Sequence, residues 1–138
     1  MPSHSSSSVN PHTTQSEVPG TVKYLLLLYG DADGEAAIGA EERHAIVDEH
    51  IRFGRLLDER RAMVIGEALE DASTARTVHF PPDGPAPYVT DGPYLETKET
   101  LGAFYVLECG SLDEAIELAK QVPRSPGLVA ELRLIAGM

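Results

Sequence analysis

Apolar residues fill consecutive positions from Val22 to Tyr29. On an extended chain Val22, Tyr24, Leu26 and Leu28 fall on one side and Leu25, Leu27 and Tyr29 on the other. A run of strand length that is apolar on both sides predicts a strand covered on both faces. Gly30-Asp31-Ala32-Asp33-Gly34 is expected to end it as a solvated turn, because the later ligands and terminal glutamate of a calcium loop are missing. From Glu41 to Arg61 the spacing turns helical. Its stripe is Ile46, Phe53 and Leu57, flanked by Val47, Ile51 and Leu56, with Glu41-Glu42 at the start and Arg60-Arg61 at the end, as the helix dipole favours. Ala62 to Leu69 reads as a second strand and Glu70 to Ala72 as a loop. Arg76 to Phe80 and Pro87 to Thr90 read as a hairpin around Pro81-Pro82-Asp83-Gly84-Pro85. Leu101 to Cys109 is again apolar on both sides, with Leu101, Ala103, Tyr105 and Leu107 against Phe104 and Val106. Ser111-Leu112-Asp113-Glu114 forms a capping box for a short helix whose stripe is Leu112, Ala115, Ile116 and Ala119 and which stops near Val122-Pro123. Leu128 to Ile135 supplies the last strand.

Two β-α-β units with a hairpin inserted between them predict an α+β fold of the ferredoxin-like plait type, with the first and third main strands central. The two doubly apolar runs fall on those two strands. Both helices of such a plait pack on one face, which leaves the other face with a larger apolar patch than monomers usually expose. A second sheet from another subunit covers it, so a homodimer is expected.

Composition narrows the function. Residues 1–20 contain Ser5-Ser6-Ser7-Ser8, three prolines, few bulky apolar residues and one charge, Glu17; they are expected to form a disordered tail ahead of a domain over residues 21–138. His4 and His12 in such a tail do not make a metal site. The lone cysteine, Cys109, excludes an internal disulfide and any multi-cysteine metal centre. The chain starts with no secretory pattern and reads as cytoplasmic. Acidic residues number 22 against 11 basic ones, for a net charge of −11, so nucleic acid and anionic membranes are disfavoured as partners. No apolar run is long enough to span a bilayer. No cofactor or metal motif is found.

Candidate chemistry gathers at two places. His50 falls on the apolar stripe of the first helix, four residues after Ile46 and three before Phe53, where it is either a satisfied core histidine or an acid–base group. Between Val89 and Cys109, the turn Asp91-Gly92-Pro93 holds a carboxylate at a strand edge, followed by the charged loop Glu96-Thr97-Lys98-Glu99. Elimination of nucleophile motifs leaves acid–base work by His50, Asp91, Glu96 and Lys98, with Tyr24 or Tyr105 as donors.

The run Asp91-Gly92-Pro93-Tyr94-Leu95-Glu96-Thr97-Lys98-Glu99, followed by Leu101-Gly102-Ala103-Phe104-Tyr105, resembles the DGPF signature of YCII-related proteins, departing from it at Tyr94 and Leu95. Lys23 to Asp31, Gly66-Glu67-Ala68-Leu69 and Ser73-Thr74-Ala75 extend the resemblance over nearly all of residues 22–135. It implies a dimeric α/β barrel, and a ligand site carried by Asp91, Gly92, Pro93, Tyr94, Glu96 and Lys98. It also implies a His–Asp pair of the kind used by isomerase and lyase relatives, or a regulatory role beside a sigma-factor system. His50 matches the helix histidine of that pair. The family's aspartate before a proline after the second helix is replaced here by Val122 before Pro123, and Asp91 stands in as the partner. Three functions remain open: a small-molecule-binding dimer, an isomerase or lyase using His50 and Asp91, and a regulatory partner protein.

Overall fold

The structure is a computed structural model that describes residues 20–137. The expected tail and its histidines His4 and His12 lie outside the described residues, apart from Gly20. Strand β1 (Val22–Asp31) runs into a single-turn helix α1 (Ala32–Ala36), then helix α2 (Ala40–Glu59) and strand β2 (Met63–Ala68). A 3-10 turn at Ala72–Thr74 leads to the hairpin of β3 (Arg76–His79) and β4 (Tyr88–Asp91). Strand β5 (Glu99–Cys109), helix α3 (Leu112–Ala119) and strand β6 (Val129–Leu134) complete the chain. The fold is α+β. A four-stranded antiparallel sheet has the order β2-β5-β1-β6, and β3-β4 form a separate two-stranded sheet. The doubly apolar strands β1 and β5 are the central pair, as their patterning predicts. Within the chain the sheet stays open and no barrel is closed. No helix among the described residues is long and apolar enough to cross a membrane.

The core lies on one face of the sheet. Leu26, Leu28, Ala103, Tyr105 and Leu107 point into it and meet Phe53, Leu57, Leu118 and Val122. Leu25, Leu27, Phe104 and Val106 point the other way and are only half-buried; β1 and β5 set Leu25 opposite Val106 and Leu27 opposite Phe104, so the four form one apolar block.

Several local expectations change. Gly30–Gly34 is not a solvated turn: β1 continues through Asp31, whose carboxylate accepts the Gly34 N–H at 3.0 Å and so caps α1. The stripe of α2 is narrower than its sequence implies. Phe53 and Leu57 are buried and Ile46 and Leu56 half-buried, but Val47 and Ile51 are exposed, because the helix covers the sheet along one line of contact. Helix α3 is rotated: Ala115, Leu118 and Ala119 face the core, while Leu112 and Ile116 look outward. Helix α2 also ends before its arginines. Arg61 takes a left-handed φ of 55°, and Ala62 and Arg61 donate to Leu57 and Asp58 at 2.8 and 2.9 Å. Those two bonds close the helix in a Schellman turn, and Ala62 packs beside Leu57 in the core.

Candidate functional site

His50 reaches the interior because α2 lays its Phe53 side on the sheet. Phe53 meets the Tyr105 ring edge-on with centroids 5.1 Å apart, and one turn earlier His50 Nδ1 lies 2.8 Å from the Tyr105 hydroxyl. The two rings are nearly parallel, 10° apart in plane, at a centroid distance of 6.3 Å. Tyr105 is buried and His50 half-buried. Burial pushes the imidazole below its ordinary pKa, outweighing the opposing charge of Glu49, and pushes the Tyr105 phenol up. Both groups are therefore neutral near pH 7. The bond has two forms. Either the phenol O–H donates to Nδ1 and Nε2–H is left as a donor, or Nδ1–H donates to the phenol oxygen and Nε2 is left as a base.

His50 lines a cleft of about 450 Å³ between the first half of α2 and the ends of β1, β2 and β5. Its walls are mainly apolar (Leu28, Ile38, Ile46, Val47, Leu69, Leu128), with Arg43, Glu70 and Ser125 as further polar groups. A mainly apolar cavity of this size with a few convergent polar groups suits a small organic molecule.

The structure does not bring Asp91 to His50. The hairpin register sets Arg76 opposite Asp91, and Arg76 Nε lies 3.1 Å from Asp91 Oδ1, with the Asp91 side chain 89% exposed. Asp91, Gly92, Pro93 and Glu96 line a second, wider cleft of about 830 Å³ together with residues 70–75. The two clefts share Tyr29, Leu69 and Glu70 as a common wall, and neither contains both His50 and Asp91. Gly92 adopts φ 93°, donates its N–H to Ala75 at 2.8 Å and accepts the Thr77 hydroxyl at 2.8 Å, so the glycine carries the turn beyond the end of β4. Tyr94 and Lys98 line neither cleft. Tyr94 leans on His79 at 6.5 Å, and the Lys98 backbone carbonyl accepts the Ala32 N–H at 2.7 Å. His79 stacks on Tyr88 at 4.6 Å and bonds Thr90 Oγ1 at 2.9 Å. Cys109 is buried, which raises its thiol pKa and removes it as a nucleophile. Among the described residues no group of three His, Cys, Asp or Glu is placed to hold a metal ion.

The model of the YCII-related domain family matches residues 22–136. The chain belongs to the YCII-related family. An uncharacterised protein of Rhizobium meliloti (strain 1021) is 30% identical over 99 residues, which span 72% of this chain and 78% of that protein. In this YCII-related chain the Asp-Gly-Pro turn and the helix histidine thus occupy neighbouring but separate clefts. The closest polar partner of the histidine is a tyrosine from the central strand. Sequence reasoning included Tyr105 as a possible donor but did not pair it with His50. The signal was available in Phe53, which shares a helix face with His50 and needs an aromatic or aliphatic neighbour on the strand beneath. Arg43 and Ser125 carried no such signal.

Proposed function

We propose that the chain is a cytoplasmic small-molecule-binding protein that works as a homodimer, with its ligand in the His50 cleft. The observation that carries this reading is the neutral His50, bonded to Tyr105, in the wall of a mainly apolar cleft. A neutral imidazole offers a directional hydrogen bond without the cost of burying a charge. It favours an uncharged ligand with a carbonyl or hydroxyl group, in keeping with the net charge of −11. In this reading the strand order and one-sided helices belong to a ferredoxin-like plait, and the block of Leu25, Leu27, Phe104 and Val106 meets the same block of a second copy to form a dimeric α/β barrel. The Asp91 turn and Glu96 form the outer cleft beside it, open to a larger or extended ligand.

A second reading, proton transfer of isomerase or lyase type, is favoured by the lowered His50 pKa, which leaves the imidazole unprotonated and ready to act as a base. The separation of Asp91 within the chain places that reading second.

The test is a thermal-shift and calorimetric screen of neutral cyclic ketones, lactones and phenols against wild type and His50→Leu. Binding in wild type that is lost in a folded His50→Leu protein supports the site. Binding that survives the substitution, or hits confined to anions, overturns it. Turnover of any bound compound, followed by NMR, would promote the second reading over the first.

A further inference from the structure

The His50–Tyr105 bond has two proton arrangements, and the phenol proton chooses between them. Tyr105 is only 7% exposed and does not line the His50 cleft. Among the described residues its hydroxyl has one hydrogen-bond partner, His50 Nδ1 at 2.8 Å. A phenol carries a single proton. If Nδ1–H donated to the phenol oxygen, that proton would stay in the core without an acceptor, and buried polar groups are seldom left so because the cost is high. If the phenol donates instead, Nδ1 satisfies its proton and the imidazole proton resides on Nε2. Acidity points the same way, since the phenol is the better donor of the two and the imidazole nitrogen the better acceptor. Nε2 is the remaining polar atom of a ring that lines the cleft, and among the described residues it bonds no protein atom.

We propose that Tyr105 is a positioning residue that holds His50 as its Nε2–H tautomer, so that the cleft presents a fixed hydrogen-bond donor and takes neutral ligands with a carbonyl-type acceptor. This rests on the small-molecule-binding reading above and narrows its ligand class. A fixed tautomer selects, because a ligand that offers His50 only an N–H or O–H sets donor against donor and leaves both unpaired. The surroundings suit a carbonyl on a ring: Leu28, Ile38, Ile46 and Leu128 are apolar walls of a cavity of about 450 Å³. Arg43 adds a second donor to the same wall. Glu70 adds an acceptor, so a donor ligand that binds there does so without His50. Proton abstraction by His50 is disfavoured in this form, because the nitrogen facing the cleft already holds a proton. What is left to it is to polarise a bound carbonyl, as a neutral imidazole can.

The experiment pairs nitrogen NMR with calorimetry on the full chain, at mildly alkaline pH where the imidazole is neutral. Long-range proton–nitrogen correlations show which ring nitrogen carries the proton. Wild type should show Nδ1 bare and Nε2 protonated; a protonated Nδ1, or exchange between equal populations, overturns the proposal without recourse to any variant. The binding probes are 1-indanone, which only accepts a hydrogen bond, and indole, which only donates one; they are similar in size. Wild type should bind 1-indanone about tenfold or more tightly than indole. Tyr105→Phe, its fold checked by circular dichroism, should lose most of that ratio, with indole affinity unchanged or higher. A merely structural role for the hydroxyl would weaken both probes alike and leave the ring-nitrogen shifts in place, and that result overturns the proposal. Equal wild-type affinity for the two probes, both lost in His50→Leu, overturns the acceptor class and keeps the His50 cleft as the ligand site. Binding of 1-indanone that survives His50→Leu overturns the acceptor class and the site together. No binding of either probe to wild type overturns the acceptor class.

Discussion

Gly66 lies directly beneath the ring of Tyr105. The two are cross-strand partners between β2 and β5, and a Cβ added to Gly66 would sit 2.6 Å from Tyr105 Cε2 and 3.2 Å from Met63 Sδ. The missing side chain is what lets the ring lie flat across the neighbouring strand, and that posture holds the phenol at His50. An aromatic ring over a strand glycine also restores packing that the glycine itself lacks.

Gly66→Ala should therefore cost about 1–3 kcal/mol, as overpacking in a closed core does. The same change should displace the Tyr105 hydroxyl and weaken ligand binding in the His50 cleft. Urea denaturation read together with calorimetry checks both. An alanine variant of wild-type stability would mean that the ring has room to move and that Gly66 does not position it.

Arg61 holds the left-handed position that closes α2, where glycine carries no Cβ penalty. Arg61→Gly relieves a strain of about 1–2 kcal/mol, partly offset by the extra freedom of glycine in the unfolded chain. A net gain of roughly 0.5–1 kcal/mol is expected, visible as a raised melting temperature. Arg61→Val should lose stability instead, since a β-branched residue tolerates that φ least.

The Ser111 hydroxyl accepts the Glu114 N–H at 3.1 Å, and the Glu114 carboxylate accepts the Gly110 N–H at 2.7 Å, one residue before the usual target of a capping box. Ser111→Ala should cost about 1 kcal/mol. Helix α3 has only eight residues and brings Leu118 fully into the core, so hydrogen exchange in α3 should rise more than elsewhere. Equal acceleration across the whole domain would show that α3 does not open separately.

How much of this was readable beforehand follows from which forces act locally. The alternation in Val22–Tyr29 and Leu101–Leu107 determines which strands are covered on both sides, and β1 and β5 are the central pair. Ser111 and Glu114 are three residues apart, so the serine cap follows from spacing alone, whereas the glutamate's choice of Gly110 does not. Whether Leu26 or Leu27 faces the helices does not follow from a run apolar on both sides, and here Leu26 does. Nor does the partner of Asp91. The hairpin register sets Arg76 across from it, and register depends on the path of a loop with four prolines rather than on Asp91 and its neighbours. His50 was legible as an inward-facing residue, but its contact with Tyr105 depends on a glycine of β2, which lies beside β5 in the sheet and far from it in sequence.

The His50 titration separates the remaining possibilities. Burial lowers the imidazole pKa in the folded protein relative to the unfolded value near about 6.5, so the unfolded chain binds the extra proton first. His50 therefore contributes its full share of stability above the unfolded pKa, and that share is lost as pH falls through the depressed folded value. Wild type should lose stability on going from neutral to mildly acidic pH, and His50→Leu should lose less over the same window. Asp91 is engaged with Arg76 in an exposed ion pair worth under about 1 kcal/mol. Asp91→Asn should accordingly leave the NMR-measured His50 pKa unchanged in the monomer. A fall in that pKa in Asp91→Asn would show the carboxylate acting on His50 after all, across a dimer contact, and would restore the acid–base pair. Tyr105→Phe tests the neighbour that the structure does supply. If the phenol donates to Nδ1, it stabilises neutral imidazole, and its removal must raise the His50 pKa. If Nδ1–H donates to the phenol, removal must leave the pKa unchanged or lower it, and Nε2 is then the base that faces the cleft.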